Sequence, residues 1–152
     1  MTDSEGHPFN GKQLVGKVWV VDFIYTNCPG PCPRMTSQMH RIEEEVKSDQ
    51  DVKLISISVD PDRDTPAVLN AFAKRFGGPT PQWRFLTGSP DTVHLLAHEV
   101  FKVGDVISTM DHSTKFMLVD KSGQLRGYYS TFDEDGLPSL LQDVKTLRRQ
   151  SS

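Results

Sequence analysis

Apolar runs alternate with amphipathic stretches along this chain, and the alternation predicts strands and helices in turn. Lys17 to Thr26 (KVWVVDFIYT) is β-branched, aromatic and nearly continuously apolar, with Gly16 bounding it. Such a run predicts a central strand buried on both faces. Asp22 inside it is the anomaly. Met35, Met39, Ile42 and Val46 then recur at helical spacing, with Arg41, Glu43, Glu44 and Lys47 on the other side. They predict a helix from about Pro33 to Ser48, with proline at its first position. Val52 to Val59 reads as a second strand. Thr65-Pro66 pairs an N-cap with a first-turn proline and opens a helix carrying Leu69, Phe72, Ala73 and Phe76. Gly77-Gly78-Pro79 ends it.

Trp83 to Leu86 is a short strand. Ser89-Pro90 repeats the cap signal ahead of the stripe Val93, Leu96, Ala97 and Val100. Lys115 to Val119 is a strand, Lys121-Ser122-Gly123 a turn, and Gln124 to Ser130 the returning partner of a hairpin. Leu137, Leu140, Leu141, Val144 and Leu147 form the face of a closing helix. The order implies an α/β fold, a parallel sheet between helices to which a C-terminal hairpin adds antiparallel strands. Ligands in such sheets bind outside the carboxyl ends of the strands.

A length of 152 residues fits one domain, spanning 1–152, with room for a real core. The net charge of -3 and the lack of a basic cluster beyond Arg148-Arg149 speak against a nucleic-acid face. That pair suits the last turn of a helix, where cations favour the dipole. No run approaches the roughly 18 apolar residues of a membrane span, and no signal peptide is visible. The abrupt start Met1-Thr2-Asp3-Ser4 raises the expectation of a trimmed chain. Nothing in the pattern specifies an oligomeric state.

The chain has only two cysteines, in Cys28-Pro29-Gly30-Pro31-Cys32. A disulfide across so short a loop gains little chain-entropy stabilisation, so chemistry explains the pair better than stapling. Cys32 is expected at or near a helix N-terminus, where unpaired N–H groups and the dipole favour the thiolate. Cys28 follows the first strand's carboxyl end. The dithiol fits two tasks, cycling to a disulfide or chelating a soft metal. Zinc wants four ligands and there is no second cysteine pair. Copper is content with two thiolates and an imidazole.

Five histidines are available. His7 falls in an N-terminus expected to fray, and His40 lies mid-helix off the apolar stripe, where solvation is expected. His94 and His98 form an i, i+4 pair without a third nearby ligand, which suits a surface or core-edge position. His112, in Met110-Asp111-His112-Ser113, directly precedes the hairpin, and its loop could lean over the first strand's end. On the residues alone it stands level with an ordinary loop histidine.

The segments GKVWVVDFIYTNCPGPCPRM, VDPDRDTP and DHSTKFMLVD together resemble the Sco/SenC family of thioredoxin-like copper proteins, from about Phe9 to Leu147. The combination of Cys-x-x-x-Cys-Pro with a late His-Ser is specific. Thioredoxins space their cysteines by two residues and place a cis-proline before the hairpin; here three residues intervene, and His112 stands near where that proline is expected. The resemblance implies a thioredoxin-like three-layer sandwich with a central mixed sheet, C-terminal hairpin and helix. It implies copper, Cu(I) or Cu(II), bound by Cys28, Cys32 and His112. The implied role is copper delivery to the dinuclear copper centre of cytochrome c oxidase, or maintenance of its thiols. The implied partners are that subunit or another copper chaperone. The implied address is the periplasmic side of the bacterial inner membrane or the mitochondrial intermembrane space, with a membrane anchor in the full-length protein. A thiol–disulfide oxidoreductase working through Cys28 and Cys32 is the alternative. A thiol peroxidase ranks behind both, because nothing in the sequence demands it.

Asp60, Asp62 and Asp64 invite a hard-metal reading, yet a turn and helix cap explain them better. By resemblance their loop flanks the copper site, where an aspartate would tune it or meet a partner. Met35 and Met39 are expected in the core, while Met110 could offer a thioether to copper(I). Asp22 is either a proton-handling group near the cysteines or a paired structural acid.

Overall fold

The computed structural model describes residues 2–9, 16–24, 26, 31–47, 51–58, 60, 62–89, 91, 115–122, 124–130 and 136–149, with only the backbone at Pro31, Cys32, Pro33, Lys115 and Ser130. In chain order the elements are β1 (Thr2–Asp3), β2 (Val18–Ile24), α1 (Pro31–Val46), β3 (Val52–Ser58), α2 (Pro66–Lys74), β4 (Trp83–Thr87), β5 (Lys115–Val119), β6 (Leu125–Ser130) and α3 (Gly136–Arg148).

The six strands form one mixed sheet in the order β1-β4-β3-β2-β5-β6. β2, β3 and β4 run parallel, and the other pairings are antiparallel. β2 is the central strand that its apolar run predicts. Val20, Ile24, Leu54, Trp83 and Phe85 share a core with Met35, Met39 and Ile42 of α1, Leu69 and Phe72 of α2, and Leu140 and Val144 of α3. Val21, Phe23, Ile55 and Ile57 alternate onto the other face and are buried as well. Both faces of the parallel strands are therefore covered, which is why their sequences do not alternate with polar residues.

The largest departures from expectation are at α1 and at the N-terminus. α1 starts at Pro31 and ends at Val46, two residues ahead of the predicted span at each end. Neither Pro31 nor Pro33 has an N–H, and the first turn of a helix has no intrahelical use for one, so both prolines fit there. The N-terminus does not fray. β1 pairs antiparallel with β4, Asp3 accepts hydrogen bonds from the backbone of Glu5 (2.9 Å) and His7 (3.0 Å), and Arg84 meets its other oxygen at 3.0 Å. Asp3 and Ser4 are buried. A two-residue strand carries no periodicity, so only the partner edge reveals it.

Thr65 caps α2 as expected, its side chain accepting from the Val68 N–H. The hairpin turn is closed by Asp120, which accepts from the Ser122 N–H and hydroxyl, from the Gln124 N–H and from Arg126. The helix expected around Val93 to Val100 lies outside the described residues. Among those residues no helix is long and apolar enough to cross a membrane.

Candidate metal and thiol centre

The parallel strands β2 and β3 end together, with Ile24 opposite Ser58 as the last pair. Beyond that last described pair, a side chain joins the two strand exits. Asp64 accepts from the Thr26 N–H at 3.0 Å, from the Thr26 hydroxyl and from the Ser58 hydroxyl at 2.7 Å. It is only 1% exposed. The loop holding it is a tight turn: Asp60 C=O accepts from the N–H groups of Arg63 and Asp64, and the Asp60 N–H donates to Ser58 Oγ. The turn reading of the three aspartates is right for Asp60. Asp62 is exposed, and Asp64 is neither a cap nor solvated but a buried clasp. Its inward turn is invisible in the sequence, because Thr26 lies 38 positions away.

Cys32 is the second residue of α1. That position belongs to the first turn, where backbone N–H groups lack intrahelical partners and the dipole is positive. α1 follows β2, so its N-terminus lies at the carboxyl end of the sheet. Cys28, His112 and Met110 lie outside the described residues, as do His94 and His98. Met35 and Met39 are fully buried in the core, which is the expected packing role.

Asp22 is also fully buried, in the middle of β2. Its Oδ1 accepts from the Ser56 hydroxyl at 2.5 Å, and Ser56 in turn accepts from Trp83 Nε1 at 3.2 Å. Its Oδ2 has no hydrogen-bond partner among the described residues. Burial pushes the carboxyl up to about 7, against the opposing pull of the Ser56 hydrogen bond. Asp22 is thus a paired acid that holds a proton well above the ordinary carboxylate range. The paired half of the expectation holds through Ser56, and the relation of Asp22 to the sulfurs lies outside the described residues.

The opposite, amino-terminal end of the strands carries a cleft of about 600 Å³ lined by Lys17, Lys53, His40, Glu43, Glu44 and Gln82, among others. His40, Glu43 and Glu44 present donor atoms within 4.8 Å of one another. Glu43 is buried and already accepts from the Thr80 hydroxyl, and His40 Nε2 stands 4.0 Å from Glu44. His40 is not simply solvated: its Nδ1 is buried without a hydrogen-bond partner among the described residues. The group contains no thiol and shares its cleft with lysines, so a soft cation has no reason to choose it. His7 is exposed, 3.8 Å from Asp3.

The SCO1/SenC family model matches residues 1–148. This chain belongs to the SCO1/SenC family. Among solved structures it is similar to a SCO1/SenC family lipoprotein from Bacillus anthracis, with 34% identity and a TM-score of 0.82, covering 96% of this chain and 90% of that one. It is similar to BsSco, a member of the Sco family of cytochrome c oxidase assembly proteins in which a disulfide switch has been identified. That match has 32% identity and a TM-score of 0.83, over 97% of this chain and 89% of that one. Yeast Sco1 with copper bound matches at 27% identity and a TM-score of 0.72, over 95% and 89%. These likenesses establish the thioredoxin-like α/β fold for this SCO1/SenC chain. The chain spans 78% of one curated relative's length and 51% of another's.

Proposed function

We propose that this SCO1/SenC chain is a copper metallochaperone. It carries copper as cargo on the sulfurs of Cys28 and Cys32 and on the imidazole of His112. It assists assembly of the dinuclear copper centre of cytochrome c oxidase, receiving or passing the ion through that subunit or another copper chaperone. The observation that carries this reading is Cys32 in the first turn of α1, at the carboxyl end of the parallel strands, in a family one of whose members, yeast Sco1, has been solved with copper. A helix N-terminus favours the thiolate. Two thiolates and an imidazole form a donor set of the softness copper prefers. Transfer proceeds as a partner thiolate replaces one ligand at a time. We treat residues 1–152 as one domain, held by an anchor on the periplasmic side of the bacterial inner membrane. The Bacillus anthracis lipoprotein relative supports that anchoring.

The reduced protein should bind about one copper, and Cu(II) should produce a sulfur-to-metal charge-transfer band. His112→Ala should abolish or strongly shift that band. A parent protein without it, or a band indifferent to the substitution, rejects the assignment.

The disulfide switch in BsSco favours a second reading, thiol–disulfide exchange. Cys28 and Cys32 would give two electrons and two protons to a partner disulfide. Their own S–S bond forms as the partner's breaks. This activity needs both cysteines and not His112. Turnover of a disulfide substrate by His112→Ala at the parent rate, with negligible copper affinity in the parent, would favour it.

A further inference from the structure

We propose that Asp64 is a positioning residue for the Cys28–Cys32 pair, fixing the point from which the cysteine loop departs. The proposal rests on the reading above for what the pair does, but its geometry stands apart from it. Thr26 is two residues ahead of Cys28, at most about 7 Å of extended chain. Thr26 has left the strand ladder, and its N–H and hydroxyl both find Asp64. Ser58, at the end of the neighbouring strand, donates to the same carboxylate. One buried anion therefore ties the exit of β2 to the exit of β3. Its own position is set by the turn from Ser58 through Asp60 to Asp64.

Hydrogen bonds to a carboxylate are stronger than neutral ones and give a defined direction. A neutral amide cannot reproduce this pattern. The side chain introduced by Asp64→Asn would keep one accepting oxygen and turn an NH2 group toward a donor. The loop would then leave β2 over a wider range of positions, and the sulfur of Cys28 would spend less time where Cys32 and its ligand need it. Partners that orient metal ligands typically contribute about 10- to 100-fold in metal affinity.

The experiment compares full-length chains carrying Asp64→Asn, Thr26→Val, Thr26→Ser and Thr65→Ala with the parent. Copper affinity, the charge-transfer band and the dithiol–disulfide equilibrium with glutathione are measured, with circular dichroism as the check on folding. Asp64→Asn and Thr26→Val should weaken copper by about 10- to 100-fold and move the glutathione equilibrium. Thr26→Ser keeps both donors and should match the parent. Thr65→Ala removes the α2 cap next door without touching Thr26 and should leave both readouts in place. Equal copper affinity and an equal glutathione equilibrium in folded Asp64→Asn overturn the proposal. So does a Thr65→Ala loss as large as that of Asp64→Asn, which would mean general loosening. If Asp64→Asn does not fold, Thr26→Val decides in its place. If the parent binds no copper, the metallochaperone reading falls, and the glutathione equilibrium alone decides the role of Asp64.

Discussion

Replacing Asp22 by asparagine should remove most of the pH dependence of stability between about pH 5 and 7. The carboxyl is fully buried, satisfied on one oxygen by Ser56 and unpartnered on the other among the described residues. Burial lifts it from 3.8 to about 7. In the unfolded chain it ionises near its ordinary value, so between the two values the native state holds a proton that the unfolded state has released. Stability then falls as pH rises through that window and levels off above about 7. At about 1.4 kcal/mol per decade of proton activity, the whole shift is worth on the order of 4 kcal/mol, and the part between pH 5 and 7 about 2 kcal/mol. The amide introduced by Asp22→Asn stays neutral and keeps an acceptor for Ser56, but it places an NH2 where Oδ2 has no partner, a cost of about 1–3 kcal/mol that does not change with pH. Urea unfolding of parent and variant, followed by circular dichroism at half-unit intervals from about pH 5 to 8, reads the difference directly. The stability of Asp22→Asn relative to the parent should climb by about 2 kcal/mol from pH 5 to 7. Subtraction cancels every other titrating group. A difference that stays flat across the range would show that Asp22 is ionised in the native state, and the burial argument would fail.

Met39→Ala should cost about 2–5 kcal/mol in the same assay, because the side chain is wholly enclosed by the core. It should leave copper stoichiometry unchanged; a lost equivalent of copper would make Met39 a ligand instead of packing. Asp120→Ala strips the hairpin turn of an acceptor serving two N–H groups, a hydroxyl and Arg126. A loss of about 1–3 kcal/mol is expected, and a change within error would mean that water replaces the carboxylate at no cost.

Most of the architecture is legible in local pattern. The continuous apolar run of β2, the stripe of α1, the Thr65-Pro66 cap and the hairpin turn each report a short-range preference that the fold respects. The misses share a cause. β1 is too short to carry a period and exists because the edge of β4 offers it hydrogen bonds. Asp64 looks like its neighbours Asp60 and Asp62 in sequence, yet it alone turns inward, since Thr26 and Ser58 supply donors to it.

The cysteine pair belongs to both accounts. Its spacing, its prolines and its place after an apolar strand are covalent facts, and they suffice to mark a dithiol poised at a helix start. Resemblance across the rest of the chain was enough to single out the family. What waited for the tertiary structure was everything that depends on residues far apart in the chain. The burial that holds a proton on Asp22 exists only in the folded sheet. So does the anion at Asp64 that grips the strand leading to Cys28. Periodicity records which side of an element faces inward. Only packing decides which distant donor, or none, a buried polar atom meets there.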